Sequence, residues 1–291
     1  MRFTENWTDY ELLDTSDGER LERWGKYILV RPDPQVIWKG MKRHPSWKKY
    51  DASYKRSSSG GGAWGENRLP GEWEIGYEKL GLRFCVKAMG FKHTGVFPEQ
   101  AVNWEKMYSL ISESGRKIKV LNLFAYTGGA TVACAKAGAD VVHVDASKGM
   151  TAMAKQNAVL SGLGDAHIRY IVDDCRKFVE REIRRGNKYD AVIMDPPSYG
   201  RGPNGEVWKL EECIYELISR AGLLLSDDML FFLTNSYTTG LSPSTVAYIM
   251  ENALKDKAKG ECYADEIGLK VTQTGGILPC GASIFYIGDN K

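Results

Sequence analysis

The sequence contains 291 residues, 43% hydrophobic and 26% charged, which is enough for one large domain, or one large and one small, with a substantial core. The formal net charge is only +2, so a nucleic-acid partner would require a local cationic patch. There is no signal peptide and no apolar run of about 18 residues, and the six cysteines lack paired C-x-x-C spacing. We therefore expect a soluble cytoplasmic protein with reduced thiols, no membrane partner and no metal site.

Residues 1–75 predict a β-rich N-terminal region that includes a basic arm. Tyr27–Val30 precede the turn-forming run Arg31–Pro34, a pattern typical of short strands and turns. Lys39–Arg56 carries seven lysines and arginines against one aspartate, with aromatic residues among them: Trp47, Tyr50 and Tyr54. This basic arm could bind a phosphate backbone and unstacked bases, or it could be a solvated segment that packs its rings. The Gly/Ser stretch at 57–63 predicts a linker or a lid.

Within the second predicted domain, residues 76–291, a buried strand over 118–123 leads into a loop with Gly128 and Gly129, where the backbone can turn sharply towards a ligand. A helix ending near Gly138 and a strand over 140–144 follow. That strand ends at Asp145, where a doubly wound fold places an acid on a ribose diol. The loop is not G-x-G-x-x-G and offers no basic turn for a pyrophosphate. A nucleoside without phosphates therefore fits better than a nicotinamide dinucleotide.

A second acid follows the next predicted strand, 168–172, in the run Asp173-Asp174-Cys175. An acid for a ribose, an acid for an adenine amino group and a glycine loop beside an amino-acid tail together describe a site for S-adenosylmethionine. Simpler explanations exist for two of the polar residues. Asp174 could cap a helix over 176–185, and Ser147 could cap a helix over 148–160.

The strand over 189–194 ends in the most informative motif of the sequence, Asp195-Pro196-Pro197-Ser198-Tyr199. Because proline cannot donate to a ladder, the strand must stop at the carboxyl edge of a sheet, where open α/β sheets bind ligands. The Asp195 carboxylate, the Pro196 carbonyl and the Tyr199 ring suit a flat nitrogen base. A plain proline-terminated strand is the alternative.

The remaining patterns continue the α/β alternation. They predict a helix with an apolar face over 210–221, a strand at 229–233, a helix opened by Ser242-Pro243, and two late strands at 261–270 and 284–287. Between them, the loop 199–209 carries Arg201, Trp208 and Lys209 at the mouth of the crevice. These three side chains could contact a substrate or belong to an ordinary surface loop.

With these motifs in order, the sequence resembles the class I S-adenosylmethionine-dependent methyltransferases, and more narrowly the ribosomal RNA large-subunit methyltransferase group. The resemblance covers residues 80–291 and rests on segments 122–130, 144–147, 156–158, 173–174 and 195–199. It implies an α/β fold with a doubly wound, mostly parallel seven-stranded sheet of the Rossmann-like methyltransferase type. It also implies a closing antiparallel hairpin, and a β-rich N-terminal part over Leu13–Trp38.

The resemblance also implies a set of site residues. The methionine part of S-adenosylmethionine would lie against Phe124, Ala125, Tyr126, Thr127 and Gly128. The ribose would lie against Asp145, followed by Ala146 and Ser147, and the adenine against Asp174 and Cys175. Phe97 and Gln100 would line the site from segment 92–100, although Phe97 could equally be a core residue. Asp195, Pro196, Pro197, Ser198 and Tyr199 would form the methyl-transfer point, with Asp195 also touching the cofactor.

One departure from this group concerns the chemistry. Its cytosine-C5 methyltransferases carry a cysteine after the fifth strand, because an aromatic carbon must first be activated covalently, and Tyr237 stands at that position here. The nearest cysteine, Cys213, falls on a predicted helix as a packing residue. We therefore expect a nitrogen target. A ring nitrogen attacks with its own lone pair, whereas an exocyclic amine would need acceptors such as Asp195 and the Pro196 carbonyl.

Three functions remain open on the sequence alone. The first is methylation of a nitrogen in RNA, with ribosomal RNA favoured. The second is methylation of a protein or a small molecule, which the near-neutral charge permits. The third is nucleotide binding of the NAD type. Preference for S-adenosylmethionine over NAD would exclude the third, and a steep salt dependence that is lost on charge reversal of Lys48 and Lys49 would identify the first.

Overall fold

The computed structural model describes residues 1–57, 61–90, 92–201, 207–238 and 240–289, with the backbone alone at residue 201. Part of the predicted Gly/Ser stretch, residues 58–60, therefore lies outside the described residues, as does the Arg201 side chain. None of the helices in the described ranges is long and apolar enough to cross a membrane.

The N-terminal region forms a five-stranded sheet in the order β1-β2-β3-β4-β5. The strands are β1 (Tyr10–Ser16), β2 (Glu19–Trp24), β3 (Tyr27–Pro32), β4 (Ala52–Arg56) and β5 (Gly62–Gly65). Asp17 and Gly18 join β1 to β2 with φ of 56° and 78°, which is the backbone that a type I′ hairpin turn requires. β6 (Trp73–Tyr77) and β7 (Leu82–Val86) form a separate hairpin. The predicted domain boundary at 75/76 falls inside β6.

The aromatic rings of the basic arm are packed against the N-terminal sheet. Trp47 and Tyr50 lie against a small core of Leu13, Leu21 and Val30, and the Trp47 indole donates to Asp14 Oδ2 at 2.8 Å. Tyr54 is only 4% exposed. Tyr54 is therefore covered, Trp47 and Tyr50 are half-buried, and Lys48 and Lys49 are exposed.

The rest of the chain alternates strands and helices. In chain order these elements are α1 (Ala101–Glu113), β8 (Lys119–Leu123), α2 (Gly129–Lys136), β9 (Asp140–Asp145), α3 (Lys148–Leu160), β10 (Ile168–Val172), α4 (Cys175–Arg185), β11 (Ala191–Met194), β12 (Tyr199–Arg201), β13 (Val207–Lys209), α5 (Leu210–Gly222), β14 (Phe231–Ser236), α6 (Pro243–Leu254), β15 (Gly260–Lys270) and β16 (Ile277–Gly288). The strands and helices predicted after residue 117 are all present, and their ends agree within about three residues except for the last strand, which begins at Ile277 and not at residue 284.

Seven of these strands form one sheet in the order β10-β9-β8-β11-β14-β16-β15. β16 runs antiparallel to both β14 and β15, and the other four pairs of neighbouring strands are parallel, so the predicted doubly wound, mostly parallel sheet with a closing hairpin is confirmed. The central strands are almost entirely buried because helices cover both faces. The carboxyl ends of β8, β9, β10, β11 and β14 meet along one edge, and this edge carries the predicted site.

The N-terminal sheet is not separated from the large sheet. Trp24 and Leu29 belong to the same buried core as Val120 and Ile193 of the large sheet. At its outer edge β1 also meets the segment after β15, where Thr272 N donates to the carbonyl of Leu12 at 2.9 Å. The N-terminal sheet is thereby held over the large one.

Candidate active site

The loop after β8 has an unusual backbone that is fixed by its neighbours. Phe124 and Tyr126 have φ of 53° and 50°, a left-handed conformation that is uncommon for residues other than glycine and costs about 1–3 kcal/mol. Phe124 N donates to Cys175 Sγ at 3.2 Å, and Tyr126 N donates to Asp145 Oδ2 at 2.8 Å. The loop is therefore held by the end of β9 and by the start of α4.

Gly128 and Asn157 brace this loop from below. Gly128 has φ of 83°, and a Cβ at this position would lie only 2.8 Å from Ala154 Cβ, so glycine allows α2 to pack closely on α3. Asn157 is fully buried; it donates to the Thr127 carbonyl and accepts from Cys85 N, both at 2.8 Å. These two residues shape the site through packing and backbone contacts.

Asp145 lies at the end of β9, as the sequence predicts. Besides accepting from Tyr126 N, its carboxylate accepts from Ser147 N at 2.8 Å through Oδ1. A carboxylate oxygen has two acceptor positions, so both oxygens retain capacity for a ligand hydroxyl. Ser147 itself caps α3 by accepting from Met150 N at 3.4 Å.

Asp174 and Cys175 lie at the start of α4. Asp174 caps the helix by accepting from Lys177 N at 3.0 Å, and it also faces a cavity described below. Its neighbour Asp173 instead pairs with Arg181. Burial raises the pKa of the Cys175 thiol to about 12, so the sulfur is a neutral, packed group at neutral pH.

The Asp-Pro-Pro-Ser loop after β11 is braced on two sides. Ser198 Oγ accepts from Thr238 Oγ1 at 2.8 Å, and the Ser198 carbonyl accepts from Leu210 N at 3.0 Å. The Pro197 carbonyl accepts a hydrogen bond from the Trp208 indole. With two fixed proline φ angles as well, the loop is pre-organised.

The carboxyl group of Asp195 lies in an acidic, water-poor environment. Burial and the charge of Glu99 raise the pKa of Asp195 to about 7. Glu99 is only 3% exposed, and its Oε2 has no hydrogen-bond partner within the described ranges. Burial also raises the pKa of Glu99. Two carboxyl groups whose protons are held this strongly are candidates for proton transfer near neutral pH.

Tyr237 stands where the cytosine-C5 methyltransferases of the group carry a cysteine, and it lines the same cavity as Asp195 and Glu99. Its hydroxyl accepts from Gln100 Nε2 at 2.7 Å, and its ring lies 5.9 Å from that of Phe97. Burial, followed by the charges of Glu99 and Asp195, raises the pKa of Tyr237 well above its usual value. The phenol is therefore neutral at neutral pH.

These residues surround a cavity of about 620 Å³. Its lining includes the predicted residues Phe97, Phe124, Tyr126, Asp145, Ala146, Asp174, Cys175, Asp195, Pro196, Pro197 and Ser198. A small adjoining cavity of about 60 Å³ adds Gln100, Ala125 and Thr127. Three predicted residues line neither cavity: Gly128, Ser147 and Tyr199, whose side chain is 53% exposed.

One wall of the large cavity was not anticipated from the sequence. β2 contributes Arg20, and the loop after β3 contributes Asp33, Pro34 and Gln35. Lys92 and His93 come from the segment before α1, and Cys280 comes from β16. Burial lowers the pKa of Lys92 to about 8 and that of His93 to about 4. The sequence indicates this wall only through Arg20 and Glu22, two charged residues that flank Leu21 within a strand.

Behind this wall lies a buried ionic cluster around Glu22. Arg31 binds both carboxylate oxygens of Glu22, at 2.6 and 2.7 Å, while Arg20 lies 3.5 Å away. Burial alone would raise the pKa of Glu22, but the charges of Arg20 and Arg31 lower it to about 2. The cluster fixes Arg20, whose Nε is buried without a hydrogen-bond partner within the described ranges.

Comparison with known proteins decides the family. Residues 50–226 match the family described as S-adenosylmethionine-dependent methyltransferase. The chain belongs to this family. A crystal structure of an S-adenosylmethionine-dependent methyltransferase from Agrobacterium tumefaciens superimposes with a TM-score of 0.90 and is 34% identical, covering 98% of this chain and 92% of that one.

Two curated relatives carry names that specify an RNA. The ribosomal RNA large subunit methyltransferase K/L of Shewanella frigidimarina is 30% identical over 165 residues, which is 56% of this chain and 22% of the relative. The ribosomal RNA large subunit methyltransferase I of Aeromonas salmonicida is 33% identical over 123 residues, or 42% of this chain and 30% of the relative. The chain thus spans less than a third of either relative.

The family membership makes the protein a methyltransferase that uses S-adenosylmethionine, and the nicotinamide alternative was wrong. The residues at the sheet edge fit this cofactor. The cavity volume lies within the range of about 300–1,000 Å³ typical of cofactor sites. Asp145 and Asp174 offer acceptors for hydroxyl and amino groups, and residues 124–127 line the two adjoining cavities.

Proposed function

We propose that this methyltransferase modifies a nitrogen atom of a base in RNA, with ribosomal RNA as the favoured substrate, by direct transfer and without a covalent enzyme intermediate. The names of the curated relatives support an RNA substrate. Such an enzyme would act in the cytoplasm. The observation that carries the choice of nitrogen is the carboxyl pair Asp195–Glu99 in a cavity that offers no activated thiol.

The thiols of the cavity support this choice. Cys175 and Cys280 both line it, and burial raises the pKa of each well above the ordinary thiol value. A nucleophilic cysteine needs a lowered pKa or an adjacent base. Attack on an aromatic carbon therefore lacks its nucleophile within the described cavity.

We assign the following roles to the residues of the site. S-adenosylmethionine supplies the methyl group from a sulfonium. Asp145 accepts from the ribose hydroxyls, Asp174 accepts from the adenine amino group, and the loop Phe124–Gly128 with Phe97 and Gln100 surrounds the methionine part. Asp195 and the Pro196 carbonyl accept from the target nitrogen, and Asp195 takes up the proton that this nitrogen loses.

Domain roles follow from the cavity wall. We propose that residues 1–75 form a region that closes the site over the catalytic domain, because Arg20 and Asp33 face Asp195 across one cavity. Lys48 and Lys49, exposed on the basic arm, would contact RNA phosphates. The aromatic rings of the arm serve mainly to pack it against the sheet.

The test is methylation of ribosomal RNA purified from cells that lack the protein, with S-adenosylmethionine labelled on the methyl group and mass spectrometry of the nucleosides. We expect a base methylated on nitrogen, loss of the product in Asp195→Asn, and retention in the matched control Cys280→Ala. A C5-methylated pyrimidine together with an inactive Cys280→Ala variant would overturn the nitrogen assignment. Label incorporated only into protein or small molecules would overturn the RNA assignment.

A further inference from the structure

A second cavity lies outside the active site, between α4 and α5. Its volume is about 600 Å³. Its lining includes apolar side chains such as Val179 and Leu217, together with the indole of Trp208 from β13. None of its described lining residues comes from the N-terminal sheet or the basic arm. We call this cavity the α4–α5 groove.

The α4–α5 groove is rich in cations. Five line it: Arg176, Lys177, Arg181, Arg184 and Arg220. Arg181 pairs with Asp173, and Arg220 pairs with Glu180 at 2.6 Å. Within the described ranges, Lys177 and Arg184 have no carboxylate within 4.0 Å, and both are exposed. Asp174 and Glu216 are further acids on the lining, so five cations face three acids.

The two unpaired cations are spaced for an extended polyanion. Lys177 and Arg184 are seven residues apart on α4, which places them on one face, two turns and about 10 Å apart along the axis. Arg176 lies with its guanidinium 5.2 Å from the centre of the Trp208 ring. A cation and a ring together offer a stacking surface that tolerates any base.

The α4–α5 groove adjoins the active site. Asp174 lines both this groove and the large cavity. The Trp208 indole donates to the Pro197 carbonyl in the catalytic loop, and its ring centre lies 6.1 Å from that of Phe124. A chain lying in the groove would therefore end beside Asp195.

We propose that the α4–α5 groove binds the RNA strand that flanks the target base, with Lys177 and Arg184 on phosphates and the Arg176–Trp208 pair against a neighbouring base. This inference rests on the proposed RNA substrate. It differs from that proposal in placing the strand on α4 and α5, on a surface that shares no residue with the basic arm.

The test is equilibrium binding of a fluorescent single-stranded RNA of about 16 nucleotides, a length within the range of single-strand sites, across a salt series. The variant is the double charge reversal Lys177→Glu with Arg184→Glu. The matched control is Lys148→Glu with Lys155→Glu on α3, where both lysines are exposed and the net charge changes by the same amount. S-adenosylhomocysteine binding and thermal unfolding verify that both variants are folded.

We expect the groove variant to bind RNA at least tenfold more weakly, with a salt slope reduced by about 1.4, since each single-strand phosphate contact contributes about 0.7. The control should bind like the wild type. Equal binding by both variants, with a salt-dependent wild type, would overturn the groove while leaving the RNA substrate intact. A wild type without salt-dependent RNA affinity would overturn both proposals. Displacement of the RNA by an equal charge concentration of polyglutamate would point to an acidic protein instead.

Discussion

Asp195 should couple cofactor affinity to pH. S-adenosylmethionine carries a positive sulfonium, and S-adenosylhomocysteine has the same groups without that charge. With a pKa of about 7, Asp195 is ionised in about one tenth of molecules at pH 6 and in about nine tenths at pH 8. If only the ionised carboxylate favours the cation, affinity for S-adenosylmethionine rises about tenfold over this range, while affinity for S-adenosylhomocysteine stays level.

Isothermal titration at pH 6, 7 and 8 measures this difference, and two variants separate its causes. Asp195→Asn should remove the gain. Glu99→Gln removes the charge of Glu99 but leaves burial, which is the larger cause, so the pKa of Asp195 should fall but stay above the ordinary aspartate value. A midpoint near 6 would reduce the gain to about twofold.

Other groups facing this cavity set the controls. Lys92, with a pKa of about 8, loses its charge in the upper part of the range, His93 with a pKa of about 4 is neutral throughout, and Arg20, whose pKa is raised despite burial by the charge of Glu22, stays charged. Any contribution of Lys92 persists in Asp195→Asn and can be subtracted. A full tenfold gain in Asp195→Asn, or an equal gain for S-adenosylhomocysteine, would refute the reasoning.

Three further predictions concern other parts of the molecule. Asp145→Ala should weaken S-adenosylmethionine binding about 150-fold, because two hydroxyl bonds to a carboxylate are worth about 3 kcal/mol, and a loss below fivefold in the same titration would contradict the ribose assignment. Glu22→Gln should destabilise the fold by about 3–5 kcal/mol in urea unfolding, because it leaves two buried arginines without their carboxylate, and a loss under about 1 kcal/mol would contradict this. Since the pKa of Glu22 falls from 4.5 to about 2 on folding, its stabilisation is complete above pH 4.5 and is lost as the pH falls towards 2, so wild type and variant should converge in that window. Lys48→Glu with Lys49→Glu should lower the salt slope of RNA binding by about 1.4, and an unchanged slope would remove the basic arm from the RNA surface.

The sequence was most informative where the structure depends on local patterns. Each acid at the sheet edge follows a short apolar strand within a few residues, so Asp145, Asp174 and Asp195 could be placed from hydrophobic runs and their end points alone. Gly128 lies in the loop after β8, where the sequence predicts it. Its contact with Ala154, 26 positions along the chain, gives it a packing role that local patterns cannot reveal.

The unforeseen features depend on contacts between distant segments. Arg20 reaches the cavity only because the N-terminal sheet lies over the large one, and no periodicity records that contact. Glu99 lies inside segment 92–100, which the resemblance places at the site. An acid just before a helix is already explained by its favourable interaction with the helix dipole, so the sequence does not single it out. The aromatic residues of the basic arm could not be assigned from composition, because a count of rings does not show which way they face. The structure places Trp47 and Tyr50 against the N-terminal sheet.

The contact between β1 and the segment after β15 also determines when the site can be completed. Leu12 and Thr272 are about 260 residues apart, so at 5–20 residues per second a ribosome needs roughly 15 to 50 s to make the partner after the first has emerged. During that time the outer edge of β1 presents unpaired backbone groups that can pair with another chain. Cys280, on the same late hairpin, closes the cavity only at the end of this interval. Slow translation or truncation within β15 should therefore favour aggregation of the nascent protein and prevent it from binding its cofactor.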